Sequence, residues 1–436
     1  MLKKIFLFIV CALLLFVSWS AVLGMQAPLQ KQMALIALAD IEIEKGIYAN
    51  AEPYLVQAVA YNTKQTFGAL EKLKEVYFNL GSTKEYINVL KKQTSRADCP
   101  AEVYGEFARY YITQGKIADA LTMLKLGIER TKDVELIDYY EEQRYAFTIS
   151  RNAYEDVTAY LNNGIQVKMG EFWGLADSFG KLVIPCTYEQ ISTFDTVNKG
   201  CVIALQDDQS AVTLNMKNQI IAKFDSDVKQ VGNLSQNIVP LQLENGKWIF
   251  STSKLTFNKS EYDYIGTTAN SAIAMKSEGK WGVISIKGDI IIPYDYDEII
   301  LDELGRCSAQ NAVFAKKNGV ILLIVDGTPK TDTYEDARPF TNDGWAAVKK
   351  DGKWGFINTA GEVKINYQFD DALSFVENLA AISDGKNWGY INQTGKIVIE
   401  PIFIQAKSFS GGNAPVLTER GWQFISLIEY KKGAGF

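Results

Sequence analysis

The chain runs to 436 residues, of which 47% are hydrophobic and 22% charged, enough for two or three domains with proper cores and incompatible with wholesale disorder. Its formal net charge is -6 and it carries no basic block, which disfavours nucleic acid, whose phosphates demand a positive surface. It contains no histidine, so Ser-His-Asp and Cys-His nucleophilic systems, His-ligated zinc and an imidazole pH switch are all excluded.

The amino terminus opens with Met1-Leu-Lys-Lys4 and then runs without a charge from Ile5 to Met25. At about 1.5 Å per residue a helix of that length crosses the roughly 30 Å hydrocarbon core. Lys3 and Lys4 place this end in the cytoplasm and the remainder of the chain outside. Small residues at Ser18-Trp19-Ser20 and Val22-Leu23-Gly24 also permit cleavage. Residues 1–27 are therefore expected to be a signal peptide or a membrane anchor, and the body to be extracytoplasmic.

Residues 28–144 have helical periodicity. Leu35, Leu38 and Ala39 precede Gly46; Leu70, Leu73 and Tyr77 precede Gly81; Tyr104, Phe107, Ala108 and Tyr111 precede Gly115. Each glycine is expected to end one helix in a conformation that a Cβ would penalise, before the next helix turns back. Ser82-Thr-Lys-Glu85 reads as a capping box. Val134 to Arg144 is expected to close the array as a final helix. The spacing, with glycines 35 and 34 residues apart, resembles the tetratricopeptide repeat, most closely over Tyr104 to Gly127. Tyr86 and Gln93 depart from that pattern, standing where small residues normally permit tight packing. The resemblance implies an α-solenoid whose first helices line a groove for a protein or peptide partner. Its groove positions fall on Asp40, Glu75 and Arg109; plain solvated helix surface is the competing reading.

From residue 145 to 431 the period changes. Trp173-Gly174, Trp281-Gly282, Trp354-Gly355 and Trp388-Gly389 are full Trp-Gly pairs; Trp248 and Trp422 are degenerate relatives, and Ala211 and Val320 stand at the same position in two diverged copies. A tight turn precedes each marker, as at Asp351-Gly352, and the full pairs have a second glycine seven residues after the Trp: Gly180, Gly288, Gly361 and Gly395. A third strand then ends in an aromatic-acidic corner such as Tyr188-Glu189, Tyr296-Asp297 or Phe369-Asp370. This template is similar to the WG beta repeat, which is often attached to helical repeats or export signals.

The fold class expected is thus α+β and multidomain: a helix-turn-helix solenoid followed by an all-β repeat domain of about eight three-stranded units. Tyr145 to Ile149 reads as a lone third strand and Val416 to Glu429 as the first two, so together they complete one sheet and close a propeller-like ring. An open β-superhelix is the alternative. The repeated Trp is expected in the core, against a rival reading in which exposed rings stack on cell-wall polysaccharide. The acidic corners are expected to cap turns rather than bind calcium. Five cysteines form no CxxC pair; Cys186 and Cys201 either pair or remain buried thiols. No catalytic residue, metal ligand or cofactor is expected. The reading is a non-enzymatic scaffold of the bacterial cell envelope, with a cell-wall carbohydrate-binding protein as the alternative.

Overall fold

A computed structural model describes residues 27–160, 164–193, 200–224, 228–252, 260–308 and 310–429. The expected signal or anchor lies outside these, save for its last residue. Among the described residues no helix is long and apolar enough to cross a membrane. The chain divides into two compact units, one ending at Arg144 and the other beginning at Tyr145.

The first unit contains seven helices among the described residues: α1 (27–44), α2 (Tyr48–Ala58), α3 (Thr66–Asn79), α4 (Thr83–Thr94), α5 (Ala101–Thr113), α6 (Ile117–Thr131) and α7 (Val134–Gln143). Gly46, Gly81 and Gly115 all have φ near +70°, at +72°, +68° and +67°. Each ends its helix in a Schellman motif. At the middle one, Gly81 N–H donates to Phe78 O at 3.1 Å and Ser82 N–H to Tyr77 O at 2.9 Å. That second bond explains why the capping box does not form. Ser82 sits at the N-cap of α4 but its side chain makes no capping bond, and the amide that Glu85 would accept from is already taken by Tyr77. Buried Ala51, Leu55, Leu70, Leu73 and Val76 pack the first hairpins together, and Leu90, Tyr104, Phe107, Leu124 and Leu136 the later ones.

Tyr86 and Gln93 also find a use. Tyr86 donates its hydroxyl to Glu106, and Gln93 its amide to Glu71; Lys74 bridges the same two carboxylates at 2.7 and 3.2 Å. A polar seam thereby replaces the small-residue contact, and burial beside these carboxylates pushes the Tyr86 hydroxyl well above its ordinary pKa.

The second unit is a ring of eight small antiparallel sheets, an eight-bladed β-propeller. Its strands run from β1 (Phe147–Ile149) to β31 (Gly421–Leu427). Closure is as expected: β1 pairs with β31, Phe147 opposite Leu427 and Ile149 opposite Ile425, while Tyr154 bridges to Trp422. The last blade therefore contains both ends of the domain, in the order β1-β31-β30-β29, where β30 is Asn413–Thr418 and β29 is Gln405–Ala406.

The units expected to be three-stranded gain a fourth strand in seven of the eight described sheets. The addition is only two residues long, as in β2 (Asp156–Val157) or β17 (Glu298–Ile299). It lies in the link between the corner and the next long strand. Two residues are too few to show a period of two, so no sequence pattern betrays them. One marker also shifts: Ile321, not Val320, stands at the Trp position. Ile321 faces Lys316 and Tyr334 just as Trp281 faces Lys276 and Tyr296, and Val320 belongs to the Asn318-Gly319 hairpin.

The register explains the template. Each marker faces the aromatic of its corner: Trp173 opposite Tyr188, Trp354 opposite Phe369, Trp388 opposite Phe403. One residue later the register shifts, because the third strand bulges over the glycine. A Cβ on Gly355 would lie 2.8 Å from Ile365 O, and one on Gly174 2.5 Å from Ile184 O. The Trp rings themselves are buried at Trp248, Trp354 and Trp422 and half-buried at Trp173, Trp281 and Trp388, which favours the core reading.

The acidic corners staple neighbouring blades. Asp297 accepts from Asn318 N–H of one hairpin at 2.8 Å and pairs with Lys280 of the preceding hairpin, also at 2.8 Å. Asp263 does the same with Gly279 N–H (2.9 Å) and Lys247 (2.7 Å). Lys353 pairs with Asp370 at 2.6 Å. Lysine just before the Trp and the acid just after the corner aromatic are therefore one device, repeated around the ring.

Candidate functional site on the ring axis

A set of described polar groups not absorbed by the repeat meets near the ring axis. They come from the two-residue strands and from the links that follow them. The link after β17 is the longest reach. Asp302 accepts from the amides of Leu304 (3.0 Å) and Arg306 (2.9 Å), folding residues 302–306 into a tight turn, and its carboxylate also holds the Arg306 guanidinium at 2.7 Å. This turn crosses the axis. Gly305 O accepts from Thr267 N–H at 2.8 Å, Leu304 O accepts from Asn233 Nδ2 at 3.2 Å, and Glu303 forms an ion pair with Lys407 of the last blade. Leu304 is buried beneath it.

Beside this turn lies a cavity of about 290 Å³ lined by Gln166, Trp173, Gln190, Gln230, Asn233, Trp248, Tyr264, Thr267 and Glu303, among others. Gln166 donates to Ile191 O and to Asn233 Oδ1 (3.1 Å), tying the first three blades together. Gln190 Oε1 accepts from Val231 N–H at 3.0 Å. Tyr264 is packed between two indoles, its ring centroid 5.1 Å from both Trp248 and Trp281. About 42% of the Glu303 side chain meets solvent, yet the protein encloses it enough for desolvation to push its carboxyl above the ordinary range, against the opposing pull of Lys407. A solvated axial space walled by protein accounts for both.

Cations sit on several indoles near the axis. Arg338 lies 4.6 Å from the Trp354 ring centroid and bridges Asp336 (3.6 Å) and Asp371 (3.5 Å); Lys407 lies 5.2 Å from Trp422, and Lys168 5.9 Å from Trp173. These contacts occupy ring faces that a stacked ligand would need. In place of a continuous row of open Trp rings, Trp248 and Tyr264 stand with the Lys168-covered Trp173 at a single cavity.

The helical positions singled out from the sequence are all placed on first helices. Asp40 on α1 pairs with Lys72 of α3 at 2.6 Å, while Glu75 on α3 and Arg109 on α5 are exposed. Cys99, Cys186, Cys201 and Cys307 are free thiols, and burial pushes Cys99 up to about 11 and Cys307 up to about 12. The axial residues were missed because they are scattered singly through five repeats. One signal was available: Gln190 and Tyr264 each begin a two-residue strand, and in Tyr188-Glu189-Gln190 and Tyr262-Asp263-Tyr264 they stand two residues after the corner aromatic.

Comparison with known proteins bears on the ring. The WG containing repeat family matches residues 173–208, 281–301, 333–354, 354–388 and 388–422. No curated protein matches the chain. Among solved structures, the chain is similar to the computationally designed Ika8 protein, at 12% identity and a TM-score of 0.41 over 65% of this chain and 98% of that one. It is also similar to BamB from Moraxella catarrhalis, at 9% identity and a TM-score of 0.39 over 64% and 92% of the two chains.

Proposed function

We propose that this chain is a non-enzymatic interaction scaffold that works outside the cytoplasm, its helical array and β-propeller each offering a repeat-built surface to a protein or peptide partner. The observation that carries the reading is how the chemically capable groups are employed. Corner carboxylates cap turns and hold lysines, three of the four described thiols are buried, and the marker indoles pack in the blades. The helical unit follows the tetratricopeptide spacing, with Glu75 and Arg109 exposed on successive first helices. Export rests on Lys3, Lys4 and the apolar run to Met25.

The test is in-cell photocrosslinking of the full chain from positions 75 and 109. A discrete protein adduct is expected, and Arg109→Glu should abolish the one from position 75. Adducts that are absent, or unchanged in that variant, would remove the helical groove from the proposal. Labelling of the chain in intact cells by a membrane-impermeant amine reagent checks its side of the membrane.

A further inference from the structure

We propose that the axial cavity beside the 302–306 turn is a binding site for a neutral, hydroxyl-rich ligand, the end unit of a saccharide. The site is separate from the helical groove and does not depend on the scaffold reading.

Three observations converge. First, the cavity holds polar ends with no protein partner among the described residues: the indole N–H groups of Trp173 and Trp248, the Tyr264 hydroxyl and the Gln230 amide. All four supply donors and the last two supply acceptors as well, and a ring of hydroxyls matches such a set. Second, three of the four are carried on aromatic rings. Tyr264, braced between Trp248 and Trp281, holds its hydroxyl in place before any ligand arrives. Third, the charge balance excludes ions. The cavity's carboxylate, Glu303, is already paired with Lys407, so an anion would meet a carboxylate and a cation would have to displace a lysine. At about 290 Å³ the space matches the lower end of ligand pockets, roughly 300 Å³, and admits a terminal unit rather than the middle of a polymer.

The experiment is ligand-observed saturation-transfer NMR on the full chain with glucose, N-acetylglucosamine, the β-1,4-linked dimer of each, and trialanine as a peptide probe. Transfer to saccharide protons is expected, with tryptophan fluorescence changing in parallel. A monomer that binds as well as its dimer identifies a free sugar as sufficient, whereas a dimer preference identifies a glycan chain end. Gln230→Ala alters an exposed side chain without partners, and Tyr264→Phe keeps the ring, so both variants should fold. Each should weaken binding about three- to tenfold, the value of one hydrogen bond. The proposal is overturned by transfer to no saccharide, by transfer to trialanine alone, or by saccharide binding that both variants leave unchanged. None of these outcomes touches the crosslinks expected from positions 75 and 109.

Discussion

At Gly355 a single methyl group decides whether the third strand can cross. An added Cβ would stand 2.8 Å from Ile365 O and 2.9 Å from the Tyr367 ring, both held by the bulge. Gly355→Ala is expected to cost about 1–3 kcal/mol, the usual range for overpacking, read as a lowered midpoint in urea. Val212, at the same position in a Trp-less unit, faces Lys223 directly, and the register shifts only later, between Thr213 and Leu214; where no bulge crosses this position the glycine is not needed.

The corner acids add a pH dependence. Lys280, then Asn318 N–H, hold Asp297 below the ordinary carboxylate pKa, and Lys247, then Gly279 N–H, do the same for Asp263. A depressed folded-state pKa means a contribution present above the unfolded value, about 3.9, and lost as pH falls through the folded one. Asp297→Asn should therefore lower the melting temperature slightly at neutral pH and converge on the parent as the pH falls below about 3.9 and through the folded-state value. Asp297 is solvent-exposed and Asp263 only half-buried, so the effect per site is small. Thiol labelling tests the core in the same way: Cys307, fully buried and pushed up to about 12, should react only after unfolding.

Among the elements, the helix ends carry the clearest expectation. Gly81→Ala forces a Cβ into a left-handed conformation and should destabilise the helical unit by about 1 kcal/mol, whereas Ser82→Ala should change almost nothing, because its hydroxyl caps no helix. Thermal melts of both variants separate the two claims. The contrast shows what sequence supports and what it does not. Gly46, Gly81 and Gly115 are legible because positive φ has so few tenants. The capping box at Ser82 looked equally good, but two motifs competed for one N–H and the Schellman bond to Tyr77 prevailed. The long strands were legible from Trp, turn glycine and corner aromatic, since each has a required position in the register. The two-residue strands were not, and neither was the axial cavity, whose residues are neighbours only after the ring closes.

For the whole molecule, the joint between β1 and β31 is the decisive contact. Thr148 and Ser426 are direct antiparallel partners, about 4.5–5.5 Å apart at Cα and so within disulfide range. The double variant Thr148→Cys, Ser426→Cys should form that bond under oxidation, and a peptide map should recover residues 148 and 426 as one linked species. An open superhelix would leave both thiols free. Closing so long a loop should also raise the unfolding free energy by an amount on the order of 3–5 kcal/mol, less any strain.

The same joint fixes a schedule for biosynthesis. Phe147 leaves the ribosome 280 residues before Leu427, its partner across the joint. Seven blades are complete by Phe403, but the eighth must wait for the final strand. Until then β1 and the half-built blade are unpaired edges. The helical array, made of local contacts, is free to fold as it emerges, whereas the ring stays open until β31 has emerged. Loss of β31 alone would therefore leave a nearly complete ring unable to latch.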